Sequence, residues 1–347
     1  MQVTLGIDAI NGDTILKGKK EIPPATRIVN AVKRLLVEDK EVDFILAGNQ
    51  KEIGSELKDQ PRVEIINSDS LKPGEGHKKH SSLNVLTNMA YLGSIEGFFT
   101  IADTHNVCKE SVRMGRLEGL GKGSYPALLA HFPSLKGKFI IADVGATTEQ
   151  VLENTYNHGV MAAAYAKYTL KIPRPKLGIL TIGTEKHKGS KFVKSLDEIF
   201  TRMEERFGDF LDYQGKIEIG DGFSGKVDIV LTDGHTGNIT LKSVEAAVNL
   251  LTHFIKEEAS NLSIPYKLSL ALGYPGIRKL KSRVSRKIDP RVYNGAIAIG
   301  FNGAVFKGRG NSDEKAIFYG MKRAVDYIRK DINSKVESAL EKYKLPR

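Results

Sequence analysis

The sequence lacks the features that mark secreted, membrane-spanning and zinc-binding proteins. Its 347 residues include one cysteine, Cys108, which excludes an internal disulfide and fits a reducing compartment. No apolar run reaches the roughly 18 residues of a transmembrane helix, and the first residues show no secretory signal. No Cys/His cluster has zinc-ligand spacing. We expect neither a metal nor a cofactor. These absences predict a cytoplasmic protein.

Positive charge is in excess. Lysine and arginine number 52 against 41 aspartate and glutamate, which gives a net charge of +11 and a pI of about 9.4. This balance favours anionic partners: phosphate-bearing substrates, an acidic protein, a lipid surface or nucleic acid. No nucleic-acid-binding motif accompanies the charge, so we expect no nucleic-acid partner.

Apolar runs of strand length alternate with helical patterns along the chain. The runs expected as strands are residues 3–8, 44–48, 63–66, 98–102, 139–142, 177–183 and 227–231. The patterns expected as helices are residues 25–38, 83–92 and 148–169. This alternation predicts a three-layer α/β/α fold with a mostly parallel sheet covered by helices on both faces. No low-complexity linker interrupts it, so we expect one large domain over residues 1–347, with a projecting helical segment around 250–290.

Four of the expected strands are followed by polar, glycine-containing turns. Because the carboxyl ends of parallel strands lie at one edge of a sheet, we expect these turns to converge on one cleft. The alternative is a set of ordinary connections. The last turn, residues 232–238, is expected to precede a helix that carries Leu241, Val244 and Val248. The candidate residues in the turns are Asp8, Gly12, Asp13, Asp143, Gly145, Gly183, Glu185, Asp233, Gly234, Gly237 and Asn238.

A second candidate feature is a basic loop before the helix expected at 83–92. Lys78, Lys79, Ser81 and Ser82 lie just before or at this helix start. Lysines, hydroxyls and the free N–H groups of a helix start suit a phosphate. The alternative is a solvated loop whose serine caps the helix. Lys188 lies in a further polar turn, after the run 177–183.

The motifs occur in a defined order along nearly the whole chain. They read G-I-D-A-I-N-G-D at 6–13, K-K-H-S-S-L at 78–83, D-V-G-A-T at 143–147, D-G-H-T-G-N at 233–238 and G-R-G-N-S-D at 308–313. Residues 173–189 and 294–300 add two longer segments. In this order they resemble the bacterial phosphate acyltransferase family of phospholipid synthesis (PlsX-type).

The resemblance implies a fold similar to that of isocitrate and isopropylmalate dehydrogenases. It also implies the reaction that family members catalyse. Family members make acyl phosphate from the thioester of an acyl carrier protein and inorganic phosphate, without a covalent intermediate. The resemblance also implies a homodimer and a peripheral contact with the membrane. The implied catalytic residues are Lys79, Lys188, Asp233 and Asn238. The residues implied to bind substrate or shape the cleft are Asp8, Gly12, Asp13, Lys78, Ser81, Ser82, Asp143, Gly145, Gly183, Glu185, Gly234, Gly237 and Arg309.

One segment has the pattern of a membrane-surface helix. Apolar residues recur at roughly helical spacing from 277 to 288, with basic residues between them. Family members project hydrophobic helices that touch the bilayer, so we expect the same of this segment. The alternative is a helix that packs in a dimer or lies in solvent.

The sequence departs from the family pattern at positions near the implied site. Residues 101–107 read I-A-D-T-H-N-V where the family has S-A-G-N-T-G-A, and the acidic Asp103 there is expected to oppose an anionic substrate. Arg309 replaces a histidine. Two alternatives therefore stay open: a paralogue acting on a different, short-chain acyl phosphate or thioester, and a non-catalytic protein that binds an acyl or phosphate ligand. Cys108 is either an inert thiol or the site of an acyl-thioester step.

Overall fold

The computed structural model describes residues 1–17, 20–57, 59–69, 80–121, 124–185, 187–261 and 295–345. The strands are β1 (Val3–Asp8), β2 (Ile15–Lys17), β3 (Lys20–Ile22), β4 (Val42–Gly48), β5 (Val63–Asn67), β6 (Gly97–Thr100), β7 (Ala127–Ser134), β8 (Gly137–Ala142), β9 (Lys176–Leu180), β10 (Asp212–Ile217), β11 (Ile229–Leu231), β12 (Ala296–Ile299) and β13 (Ala304–Lys307). The helices are α1 (Pro24–Glu38), α2 (Gln50–Leu57), α3 (Ser82–Tyr91), α4 (Thr104–Ser111), α5 (Leu152–Thr169), α6 (Lys191–Phe207), α7 (Ile219–Ser224), α8 (Gly234–Asn261), α9 (Glu314–Arg329) and α10 (Ile332–Lys342).

Local sequence signals account for several of these elements. Helix α1 begins with Pro24, whose missing N–H costs nothing at a helix start. Its residues Ile28, Val32 and Leu35 recur at helical spacing and are buried against the sheet. Helix α3 is capped by Ser81, whose side chain accepts a hydrogen bond from the backbone N–H of Asn84 at 3.3 Å. The α/β fold with a mostly parallel sheet is confirmed.

Helices cover both faces of one large sheet. In the described residues its strand order is β10-β9-β11-β8-β7-β12-β13-β6-β1-β4-β5, and a separate hairpin pairs β2 with β3. One apolar core holds residues of α1, α2, α5, α6, α9 and α10. The other lies on the opposite face and holds residues of α3, α4 and α8. The arrangement is the expected three-layer sandwich.

The sheet is mostly parallel, as expected, but its two halves run in opposite directions. Strands β7 and β12 are antiparallel to their neighbours, so β8, β9, β10 and β11 run opposite to β1, β4, β5, β6 and β13. The strand ends nevertheless meet, because the two halves are staggered. Lys307 pairs with Thr100 and with Ala296, Ala296 pairs with Ala130, and Ala130 pairs with Ile141. The carboxyl ends of β6, β13 and β8 therefore lie on one row across the sheet.

Two segments expected as turns or loops are helix starts. Residues 232–238 contain the first turn of α8, which begins at Gly234 and has Asp233 directly before it. Residues 101–107 contain the start of α4, whose N-cap is Asp103. In both cases an aspartate that suits a turn serves instead to accept a hydrogen bond from a free N–H group of the helix.

The outer half of α8 projects from the fold. Leu250, Leu251, Phe254 and Ile255 are exposed on it. The expected membrane-surface helix at 277–288 lies outside the described residues. Within the described ranges, no helix combines the length and the apolar character needed to cross a bilayer.

Candidate active site

Asp8 organises the floor of the site at the end of β1. Its fully buried carboxylate accepts hydrogen bonds from the Ser82 hydroxyl at 2.8 Å, from the Thr100 hydroxyl at 2.5 Å and from the Asn11 amide at 3.0 Å. Ser82 also accepts a bond from Asn11 at 2.8 Å. The carboxylate thus joins β1, β6 and the start of α3, and its oxygens are occupied by protein donors. The expected turn geometry after it is present, because Gly12 has a φ of +119°.

Asp143, at the end of β8, is likewise a buried carboxylate that accepts several hydrogen bonds. Its buried carboxylate accepts bonds from the backbone N–H groups of Leu128, Gly145, Ala146 and Thr147, at 2.9 to 3.1 Å, and from the Thr147 hydroxyl. A carboxylate with this many donors fixes the turn that follows the strand.

Helix α8 begins directly on this turn. A Cβ at Gly237 would lie 1.9 Å from the carbonyl oxygen of Asp143, and one at Gly234 would lie 2.1 Å from that of Thr147. Only glycine allows such an approach of helix to backbone. Asp233 caps the helix through the N–H of Thr236 at 2.9 Å and also accepts a bond from Gln150 at 3.1 Å. Asn238 is exposed on the next turn, against Gly145.

The remaining sequence-derived candidates fall in three places. Ser81 is buried and caps α3, while Lys78 and Lys79 lie outside the described residues. Lys188 lies in the turn after β9, where it pairs with Glu185 at 2.8 Å beside Gly183. This ion pair is half-exposed and lines neither of the two cavities described next.

Two cavities meet at the row of strand ends. An open cleft of about 720 Å³ has mostly polar walls, which include Asn11, Gly12, Asp13, Glu52 and Asp103. A more enclosed cavity of about 90 Å³ is lined by Leu128, Ala130, Val144, Asn238, Leu241, Glu245, Ala296 and Arg309, among others. Thr104, Lys242 and Lys307 line both spaces.

Arg27 holds two loops of the open cleft together. Its buried guanidinium donates to the carbonyl oxygens of Asp13 and Ser312. The backbone N–H of Asp13 also donates to the carbonyl of Gly310 at 3.0 Å. The turn after β1 is thereby tied to the loop after β13.

Charged side chains from α8 and β13 surround the enclosed cavity. Arg309 pairs with Glu245 at 2.8 Å, and Lys242 pairs with the same carboxylate at 3.4 Å. Lys307 has no carboxylate within salt-bridge distance in the described part of the chain. Burial, together with the nearby charge of Lys242, lowers the pKa of Lys307 to about 8. Lys307, Lys242 and Glu245 were not predicted; a lysine that ends the apolar strand Ala304–Lys307, directly before the G-R-G motif, was the available signal.

Cys108 lies close to this wall, on α4. Burial and the nearby Asp143 carboxylate raise the pKa of its thiol to about 12. A thiol that stays protonated at neutral pH is a poor nucleophile, so the environment favours the inert thiol over the acyl-thioester step. Within the described ranges, no group of three or more His, Cys, Asp or Glu side chains is placed to hold a metal ion.

The sequence matches the family described as "Fatty acid synthesis protein" over residues 3–335. The chain belongs to this family. It is 30% identical to the phosphate acyltransferase of an Exiguobacterium species over 346 residues, which cover 96% of this chain and 98% of the relative. It is 29% identical to the phosphate acyltransferase of Brachyspira hyodysenteriae, over 98% of this chain and 96% of the relative. The resemblance stated from the motifs is confirmed.

Solved structures with the same fold are more distant in sequence. A branched-chain phosphotransacylase from Enterococcus faecalis matches with a TM-score of 0.58 at 13% identity, over 93% of this chain and 99% of that one. The EutD phosphotransacetylase from Staphylococcus aureus matches with a TM-score of 0.55 at 12% identity, over 98% and 94%. At this identity the likeness establishes the fold alone.

Proposed function

We propose that this protein is a phosphate acyltransferase, which transfers an acyl group from a thioester to inorganic phosphate. Relatives that match the chain almost from end to end carry this name. The observation that carries the proposal is the junction of a polar cleft and a smaller, more apolar cavity at a wall bearing Lys307 and Lys242. Phosphate fits the first space and the acyl end of the thioester fits the second.

The reaction needs positioning and charge stabilisation more than a protein nucleophile. A phosphate oxygen attacks the thioester carbonyl carbon and forms a C–O bond, and the C–S bond then breaks. The thiolate leaves and takes a proton from solvent. The protein must hold the anion, orient it and stabilise the oxyanion that develops on the carbonyl oxygen. The high pKa of Cys108 supports direct attack by phosphate.

The residues implied by the family resemblance take separate parts in this proposal. Lys78 and Lys79 supply positive charge for phosphate beside the start of α3. Asn238 lines the enclosed cavity, which supports a polar contact of its side chain with the thioester. Asp8, Asp143 and Asp233 hold the strand ends in position. Arg309, which lines the enclosed cavity, binds an anionic group there, and Lys188 adds positive charge from the turn after β9.

The acyl carrier protein donor, the phospholipid pathway, the homodimer and the membrane contact also belong to the proposal. The net charge of +11 suits an acidic donor protein. The exposed Leu250, Leu251, Phe254 and Ile255 support a contact of α8 with a second copy or with a lipid surface.

A trapping assay tests the reaction. Purified protein is incubated with inorganic phosphate and a set of acyl thioesters, and acyl phosphate is trapped with hydroxylamine as its hydroxamate. Hydroxamate that forms only when protein, thioester and phosphate are all present supports the proposal. If a folded protein that binds phosphate gives no hydroxamate from any donor, the non-catalytic binding role replaces it.

A short-chain donor is the second candidate. The enclosed cavity measures about 90 Å³, a volume that a short acyl group can occupy. The same assay across acyl carrier protein thioesters and free thioesters of increasing chain length decides between the two. A maximum at two to four carbons favours the paralogue, and a maximum at long chains favours the family reaction.

A further inference from the structure

Lys307 occupies the centre of the row where the two halves of the sheet meet. It is the last residue of β13 and pairs with Thr100 on one side and with Ala296 on the other. The Thr100 hydroxyl donates to the Asp8 carboxylate. On the other side, Ala296 pairs with β7, which pairs with the end of β8. No other lysine of the described residues ends a strand of this row.

The ammonium group of Lys307 has donor capacity left over. It donates to the carbonyl oxygen of Gly308 at 3.0 Å, and it lines both the cleft and the enclosed cavity. An ammonium carries three N–H donors, so two remain for a ligand. The other cations at this wall differ, because Lys242 and Arg309 both pair with Glu245.

Carboxylates near the Lys307 ammonium make a cation necessary if phosphate is to bind in the cleft. Asp103 and Asp13 line the same cleft, and their carboxylates would repel phosphate without a nearby cation. The Oδ2 atom of Asp103 is buried and has no hydrogen-bond partner among the described residues. The groups that act on the charge of Lys307 are Lys242 and Glu245 from α8, and Asp103 and Cys108 from the α4 region.

We propose that Lys307 is a catalytic residue of the acyl transfer: its ammonium group holds the attacking phosphate at the junction of the cleft and the enclosed cavity. This inference rests on the proposed function. As a compact point charge with free donors, the group can bind a phosphate oxygen that faces the thioester carbonyl. Loss of its proton would weaken the interaction, so binding should fall as the pH rises through about 8.

Calorimetric titration with inorganic phosphate tests the contact without requiring turnover. We expect Lys307→Gln to bind phosphate about ten-fold or more weakly at pH 7, since a charged hydrogen bond is lost. Lys307→Arg should keep most of the affinity at pH 7 and should lack the extra fall that the wild type shows between pH 7 and 9. Phosphate ionises in the same way in both titrations, so the difference between them belongs to residue 307.

Two further variants separate this role from a general loss of charge. Lys242→Gln should move the fall in affinity to higher pH, because Lys242 lowers the pKa of Lys307. Lys109→Gln removes an exposed lysine of α4, which lines neither cavity, and should leave binding unchanged. Melting curves check that each variant is folded.

The outcomes distinguish this inference from the proposed function. Phosphate affinity of a folded Lys307→Gln within two-fold of wild type would overturn the role of Lys307, even if hydroxamate forms. If Lys307→Gln fails to fold, an equal pH dependence of phosphate binding in wild type and Lys307→Arg would overturn it. Absence of phosphate binding by the wild type would do so too. Normal phosphate binding through Lys307 without hydroxamate would instead overturn the proposed reaction.

Discussion

Two sets of polar residues lie near the same row of strand ends and differ in how their hydrogen bonds are used. The carboxylates of Asp8, Asp143 and Asp233 receive bonds from several backbone and side-chain donors. Lys307 keeps two free donors, and Asp103 has a buried oxygen without a partner in the described residues. The first set builds the scaffold of the site. In the second set the ammonium of Lys307 can bind an anionic substrate, and the carboxylate of Asp103 acts on the charge of that ammonium.

The largest expected effect is on the scaffold set. Asp143→Ala would leave the N–H groups of Leu128, Gly145, Ala146 and Thr147 without their acceptor. We expect the free energy of unfolding to fall by about 3 kcal/mol or more, because each buried unsatisfied donor costs roughly 1–3 kcal/mol. Urea unfolding measures it. A variant that is as stable as wild type but inactive would place Asp143 among the substrate-binding groups instead.

The contact between α8 and the Asp143 turn should be the next most sensitive. In Gly237→Ala the new Cβ would meet the carbonyl oxygen of Asp143 at 1.9 Å, so backbone must move. We expect a loss of about 1–3 kcal/mol, as for other overpacked sites. Gly220→Ala in α7 is the matched control, since a Cβ there meets nothing within 4 Å. Equal melting temperatures for the two variants would mean that α8 does not pack this closely.

Asp103→Asn tests the substrate-binding set with little change in stability. Asparagine caps a helix about as well as aspartate, so α4 should remain capped. The Asp103 charge raises the pKa of Lys307, so its removal should move the fall in phosphate affinity to a pH below that of the wild type. At pH values below this fall, the variant should bind phosphate more tightly than the wild type, because the carboxylate that repels phosphate is gone. The pH dependence is measured by phosphate titration from pH 6 to 9. If it is the same in the variant and the wild type, the charge of Asp103 does not act on Lys307.

The smallest effect is expected at Cys108. Its thiol has a pKa of about 12 and stays protonated at neutral pH. Cys108→Ser should therefore leave the rate of acyl phosphate formation within about two-fold of wild type, and thiol reagents should modify the native protein slowly. A loss of activity with normal stability, together with an acylated wild-type cysteine in mass spectrometry, would establish the thioester route instead.

The sequence predicted most of the parallel strands, because a long apolar run such as that in Val42–Gly48 favours a buried strand. It did not predict the parallel strands β10 and β13. It predicted neither β7 nor β12 as a strand. Their reversed direction was not predictable, since a strand buried on both faces carries no pattern that reveals its direction. The sequence around the starts of α4 and α8 favours loops, because Asp103, Asp233, Gly234 and Gly237 are typical of turns. These segments form helices because they pack against other parts of the chain, and the local sequence does not reveal that packing.

The site was predictable only in part, because some of its features depend on contacts between distant segments. Motifs located Asp8, Asp143 and Asp233, because each lies in a motif at or directly after an apolar run of strand length. Their hydrogen-bond partners come from distant segments, as Ser82 and Thr100 do for Asp8, so their saturation could not be foreseen. Lys307 was missed because its position between two cavities depends on the stagger of the whole sheet.

The most direct measurement follows labelled inorganic phosphate into acyl phosphate. Wild-type protein is supplied with labelled phosphate and an acyl thioester, and the labelled product is separated from free phosphate. We predict labelled acyl phosphate whose formation requires the thioester, and which falls at pH 7 in Lys307→Gln but not in Lys109→Gln. Folded wild-type protein that binds phosphate and yet forms no labelled acyl phosphate from any donor would contradict the assignment of this chain as a phosphate acyltransferase.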